Sequence, residues 1–90
     1  MMLNEKALKG LKAELLAKHY LIKKGYIIFS AEGGIGPIDL VGILDGKTRY
    51  FDVKTTGEVK EHTFDKGEWH KKYKIGRNEK GHYTGEILKR

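Results

Sequence analysis

The chain contains no cysteine, no repeated segment and no apolar run near the ~20 residues that cross a bilayer. Without cysteine it has neither a disulfide framework nor a thiolate metal site, which suits a reducing compartment. Charge at Glu5, Lys6, Lys9, Lys12 and Glu14 occupies the region where a secretory signal needs an apolar stretch. The expectation is therefore a cytoplasmic protein with no membrane partner. Ninety residues bound the chain to one domain, residues 1–90, with a modest core. A homodimer is expected to supplement that core. The chain carries 18 Lys and Arg against 12 Asp and Glu, a formal net charge of +6. Such a balance points to a polyanionic partner, most simply nucleic acid.

Asn4 is placed to cap a helix running from about Glu5 to Lys24, and Gly25 to end it. Leu8, Leu11, Leu15 and Ile22 recur at helical spacing and read as its buried stripe, with His19 as a packed residue on it. Tyr26–Ser30 reads as a buried strand, and "AEGGIGP" as a glycine-rich loop ending in Pro37. Two further strands, Ile38–Leu44 and Thr48–Thr55, flank Asp45-Gly46, a strong signal for a tight hairpin. Beyond Gly57 the patterns are weaker. "EVKEHTF" and "HYTGEILK" read as strands, and "DKGEWHKKYKI" as a short helix or a strand.

The hairpin has a consequence for charge. A two-residue loop pairs Leu44 with Lys47, and the same register sets Leu40 opposite Phe51, Ile38 opposite Val53 and Asp39 opposite Asp52. Opposed residues have Cβ atoms about 4.5–5.5 Å apart, so the two carboxylates repel unless a positive group joins them. Lys54 lies two residues beyond Asp52 on the same face. The other candidate is a hard divalent cation, which takes oxygen ligands and acidifies water. Surface Asp–Lys pairs are common, but three such groups gathered by an independent turn signal favour chemistry.

This arrangement resembles the PD-(D/E)xK nuclease superfamily, which includes restriction endonucleases and archaeal Holliday-junction resolvases. The matching residues are Pro37-Ile38-Asp39 and Asp52-Val53-Lys54. The segment "GLKAELLAKHYLIKKGYII" is similar to the first helix and strand of resolvase-like members, through Glu14, Ala17, Tyr20-Leu21 and Gly25-Tyr26. The resemblance covers roughly residues 8 to 56. It implies an α/β, restriction-endonuclease-like fold: a small mixed sheet with an N-terminal helix packed on it, continued by a helix and another strand. It implies a Mg2+- or Mn2+-dependent endonuclease acting on DNA, branched or linear, with a non-catalytic nucleic-acid-binding module as the alternative. Asp39, Asp52 and the Val53 carbonyl would hold the metal. Lys54 would be the catalytic lysine, and Glu14, at the edge of the helix stripe, an accessory acid reaching the metal through water.

Residues 69–85 carry five Lys and Arg against one Glu, interleaved with aromatic residues. Lys71, Lys72, Lys74 and Arg77 read as phosphate contacts, and Trp69 and Tyr73 as stacking residues. "GILDGKT" falls one residue short of a P-loop and lacks the helix that must follow, so it reads as the hairpin turn. The four histidines show no zinc-ligand spacing.

Overall fold

A computed structural model describes residues 4–30, 38–63 and 67–89. Helix α1 (Glu5–Lys23) precedes strands β1 (Ile27–Ser30), β2 (Leu40–Leu44), β3 (Lys47–Val53), β4 (Glu58–Thr63), β5 (Glu68–Arg77) and β6 (Tyr83–Lys89). The strands form one sheet in chain order, β1-β2-β3-β4-β5-β6, and every pairing is antiparallel. The expected helix on a small sheet is present. The parallel pairing of a mixed sheet is absent among the described residues. So is the second helix: the segment after Gly57 continues as β4, β5 and β6. The glycine-rich loop and Pro37 lie outside the described residues.

Local signals set the helix ends. The Asn4 side chain accepts a hydrogen bond of 2.7 Å from the Ala7 N–H, satisfying one of the free donors of the first turn. Gly25 takes a φ of 102°, the left-handed conformation common just past a helix.

The buried face of α1 is not the leucine stripe. Ala13, Ala17 and Leu21 are buried, with Leu16 and Tyr20 beside them, while Leu8, Leu11, Leu15 and Ile22 are exposed. The helix carries two opposed apolar stripes at 3.6-residue spacing, and packing selects the smaller-sided one. Alanines let the helix backbone lie close to the sheet, whereas a row of leucines would hold it away. His19, on the leucine side, is exposed rather than packed.

Against that stripe stand Leu40, Phe51, Val59, Tyr73 and Ile75, which with Ala17 and Leu21 form the core. Full burial of one large aliphatic or aromatic side chain contributes about 1.5–3 kcal/mol. Gly42 makes room on this face. A Cβ there would meet the Tyr26 ring at 2.8 Å and the Phe51 ring at 3.1 Å. Those two rings pack edge to face, with centroids 5.7 Å apart. Strand β1 is at the sheet edge, and its Ile27 and Phe29 are exposed, so it is not the buried strand its composition implied. Among the described residues, no helix is long and apolar enough to cross a membrane.

Candidate carboxylate site

The hairpin that builds the site has the register expected from its turn. Asp45 and Gly46 take φ of 51° and 76°, both positive, as a type I′ turn requires. Leu44 pairs with Lys47, and the ladder runs without slippage to Leu40 opposite Phe51. There β2 begins, so the expected Ile38–Val53 and Asp39–Asp52 positions fall just beyond the regular ladder. The Asp39 N–H donates to the Phe51 carbonyl at 2.9 Å. The Val53 N–H donates to Asp39 Oδ2 at 2.7 Å. The carboxylate thus takes the place of a backbone acceptor and carries the pairing one step further.

Asp39 and Asp52 still meet. Their carboxyl groups lie within hydrogen-bonding reach of one another. Burial pushes the Asp39 carboxyl above its ordinary range. The neighbouring Asp52 and the more distant Glu14 push the same way, against the opposing Val53 N–H. Asp52 is only 8% exposed, the one charged residue among the buried described residues. Its Oδ2 accepts from Lys54 Nζ at 2.9 Å. A tight turn fixes Lys54: its N–H donates to Glu58 O, and Gly57 N–H donates to Lys54 O, each at 2.8 Å.

The Lys54 side chain is about half exposed, and the bond to Asp52 raises its pKa above the ordinary value. A lysine acting as a base needs a lowered pKa, whereas here the ammonium form is favoured. Lys54 is a positioned cation and donor. Glu14 is half-buried at the edge of the Ala13–Ala17–Leu21 stripe, close enough for its charge to bear on Asp39. It reaches the site through a different helix face from the one the leucine pattern implied.

Three carboxylates with one lysine leave local charge that a divalent cation fits, and oxygen is the right donor type for magnesium or manganese. Among the described residues, no three His, Asp or Glu side chains converge as a closed ligand cluster. The two aspartates are the nucleus, and Glu14 stands outside it, acting on Asp39 through its charge.

The basic residues of β5 do not form one patch. Lys71 is 3.8 Å from Glu58, and Lys72 is 4.0 Å from Glu61, long separations at a partly exposed surface. Register sets Lys71, opposite Lys60, and the half-buried Lys74, opposite Glu58, on the face turned away from α1, while Lys72 lies by Glu61 of the other face and Arg77 is exposed at the far end. Tyr73 is 3% exposed and packs on Tyr20 at 4.6 Å, so it is a core residue and not a stacking surface. Trp69 is half-buried beside the His62 ring.

Sequence reading missed a groove of about 650 Å³ between α1 and the β5–β6 turn, lined by Leu8, Lys9, Lys12, Leu15, Lys80 and Tyr83 among others. Its basic rim joins residues more than sixty positions apart, which no local pattern reveals. None of the expected site residues lines it. No family model matches the chain, and no curated protein or solved structure matches it.

Proposed function

We propose that this protein is a metal-dependent endonuclease of the PD-(D/E)xK, restriction-endonuclease-like type, hydrolysing phosphodiester bonds in cytoplasmic DNA. The observation that carries the reading is the meeting of Asp39 and Asp52, with Lys54 at 2.9 Å, where an independent turn signal brings them together. Asp39, Asp52 and the Val53 carbonyl are the groups that would hold a cation, with Glu14 acting through water. When bound, Mg2+ or Mn2+ supplies charge stabilisation at a phosphoryl oxygen and acidifies water. Lys54, kept as an ammonium by Asp52, donates to a phosphate oxygen or orients the attacking water. Asp39 keeps its place through the Val53 N–H, so the acid pair is preorganised by backbone rather than by a mobile side chain.

The exposed stripe of Leu8, Leu11, Leu15 and Ile22 supports a homodimer joined through the outer face of α1. Light scattering at micromolar concentration is expected to give twice the 10.3 kDa chain mass. Leu15→Glu is expected to return the monomer value.

Cleavage of a panel of branched, nicked, linear and single-stranded substrates tests the activity. It is expected to require magnesium or manganese and to vanish in chelator. Asp52→Asn is expected to abolish turnover while leaving binding intact; turnover at the wild-type rate in chelator would sink the proposal. A second reading, a binding module without catalysis, is favoured by the direct Lys54–Asp52 ion pair and the lack of a closed three-ligand cluster among the described residues. Binding without cleavage across the whole panel would select it.

A further inference from the structure

We infer that the face of the sheet turned away from α1 is a stacking platform for single-stranded nucleic acid. Its basis is one continuous cross-strand row. Phe29 pairs with Val41, Val41 with Tyr50, Tyr50 with His62, and His62 with Trp69. Directly paired residues share a face, so the row crosses five strands on one side. The other side is occupied, since Leu40, Phe51, Val59 and Tyr73 meet α1 there. Neighbouring strands are about 4.7–4.9 Å apart, so the row spans roughly 19 Å.

Four of its five members are aromatic. Phe29 is 54% exposed, and Val41, Tyr50, His62 and Trp69 are half-buried. The His62 and Trp69 rings lie 5.0 Å apart at 59° and form a joined pair at one end. The next row on the same face is Asp52, Lys60 and Lys71, again in direct register. Lys60 and Lys71 share Glu58 at 3.9 and 3.8 Å, so two cations meet one acid. A ring row beside a lysine row matches the two halves of a nucleotide, base and phosphate.

The strand type follows from the rings. Bases stack on aromatic side chains when they are splayed from a single strand, and a duplex hides its base faces. A second copy of this chain fits less well. A two-fold contact on this face would need acids to meet Lys60 and Lys71, and the acids in register with that row, Asp52 and Glu58, are already joined to lysines of the same chain. The inference rests on the nuclease reading only for calling the bound strand a substrate. Asp52 lies in the lysine row itself, so a strand on the platform has its backbone at the carboxylate site.

Trp69 is the only tryptophan, which makes its emission a direct reporter. The experiment titrates the full chain with a short oligo-deoxythymidine in chelator, where no cleavage enters the reading. Saturable quenching is expected, with the duplex of the same length much weaker. Phe29→Ala and Tyr50→Leu are each expected to weaken binding by about 5- to 150-fold, the range for losing one stacked base. His19→Ala, an exposed ring on α1, is expected to leave affinity unchanged, with circular dichroism confirming that all variants fold. Unchanged Trp69 emission, equal affinity for duplex, or the same loss in His19→Ala would each overturn the inference. So would a dimer that Phe29→Ala splits without any oligonucleotide response. Quenching without cleavage on any substrate would sink the nuclease reading and leave the platform standing; cleavage without quenching would do the reverse.

Discussion

The two faces of the sheet are made from the same strands and hold different kinds of residue. The face against α1 carries Leu40, Phe51, Val59 and Ile75, all fully buried, with Ala17 and Leu21 from the helix. The face away from it carries Phe29, Tyr50, His62 and Trp69 in one row and Asp52, Lys60 and Lys71 in the next. Alternation along each strand writes both lists at once. Apolar burial is therefore concentrated on one side, and the polar and charged groups on the other. The carboxylate pair departs from this division. Asp52 is buried although it belongs to the face away from α1, and Asp39 serves the ladder through the Val53 N–H while facing another acid.

The sharpest test compares two phenylalanines. Phe51→Ala removes a fully buried ring and is expected to cost about 3–5 kcal/mol. Phe29→Ala, an exposed ring on the face away from α1 at the sheet edge, is expected to cost less than about 1 kcal/mol. Urea unfolding of both variants measures the contrast, and similar midpoints would erase the distinction between the faces.

Tyr73→Phe probes the covered side in the opposite direction. The Tyr73 hydroxyl is buried with no hydrogen-bond partner among the described residues, and burial pushes its pKa far up. Removing a buried, unpaired hydroxyl is expected to stabilise the fold by about 1 kcal/mol. A loss of that size in thermal unfolding would mean that the hydroxyl has a partner after all.

The smallest expected effect lies at the junction. The folded state holds the Asp39 proton more tightly than the unfolded chain, because its carboxyl is raised above the ordinary 3.8. Asp39 therefore lowers stability as pH rises through the interval between that value and its raised folded value, and the full penalty is present at neutral pH. Asp39→Asn keeps an acceptor for the Val53 N–H and removes the charge. Melting temperatures in chelator between about pH 4 and 7 are expected to show a stabilised variant with a flatter profile. Parallel profiles would show that the folded environment does not act on this proton.

The hairpin was legible because Asp45-Gly46 restricts the turn to one geometry, and a turn of fixed length sets every pair that follows. The same register brings Asp39, Asp52 and Lys54 together. The helix was legible in extent but not in orientation. Its leucines and its alanine–leucine stripe have the same period, and the choice depends on how closely the sheet is approached, which the helix sequence does not encode. The tail was the hardest part. β5 carries a bulge opposite Val59 and Lys60, which shifts the alternation midway and sets Lys71 and Lys74, three positions apart, on one side. Read as a linear cluster, Lys71, Lys72, Lys74 and Arg77 look like one patch; alternation turns Lys72 away, and the extra residue decides which of the others stay together. The row from Phe29 to Trp69 depends on four successive registers, and only the one at Asp45-Gly46 has a sequence signal strong enough to fix it.

The chain-order sheet also bears on how the molecule reaches its native state. Each strand finds its partner in the next stretch of chain, so each pairing closes only a short loop. Low contact order of this kind is associated with fast folding, even in sheet proteins. The helix is the exception. It is made first, yet it contacts β1, β3 and β5, so its full docking surface exists only once residue 77 has joined the sheet. Synthesis from the N-terminus would thus grow the ladder hairpin by hairpin, with the helix waiting beside it until the fifth strand completes its seat.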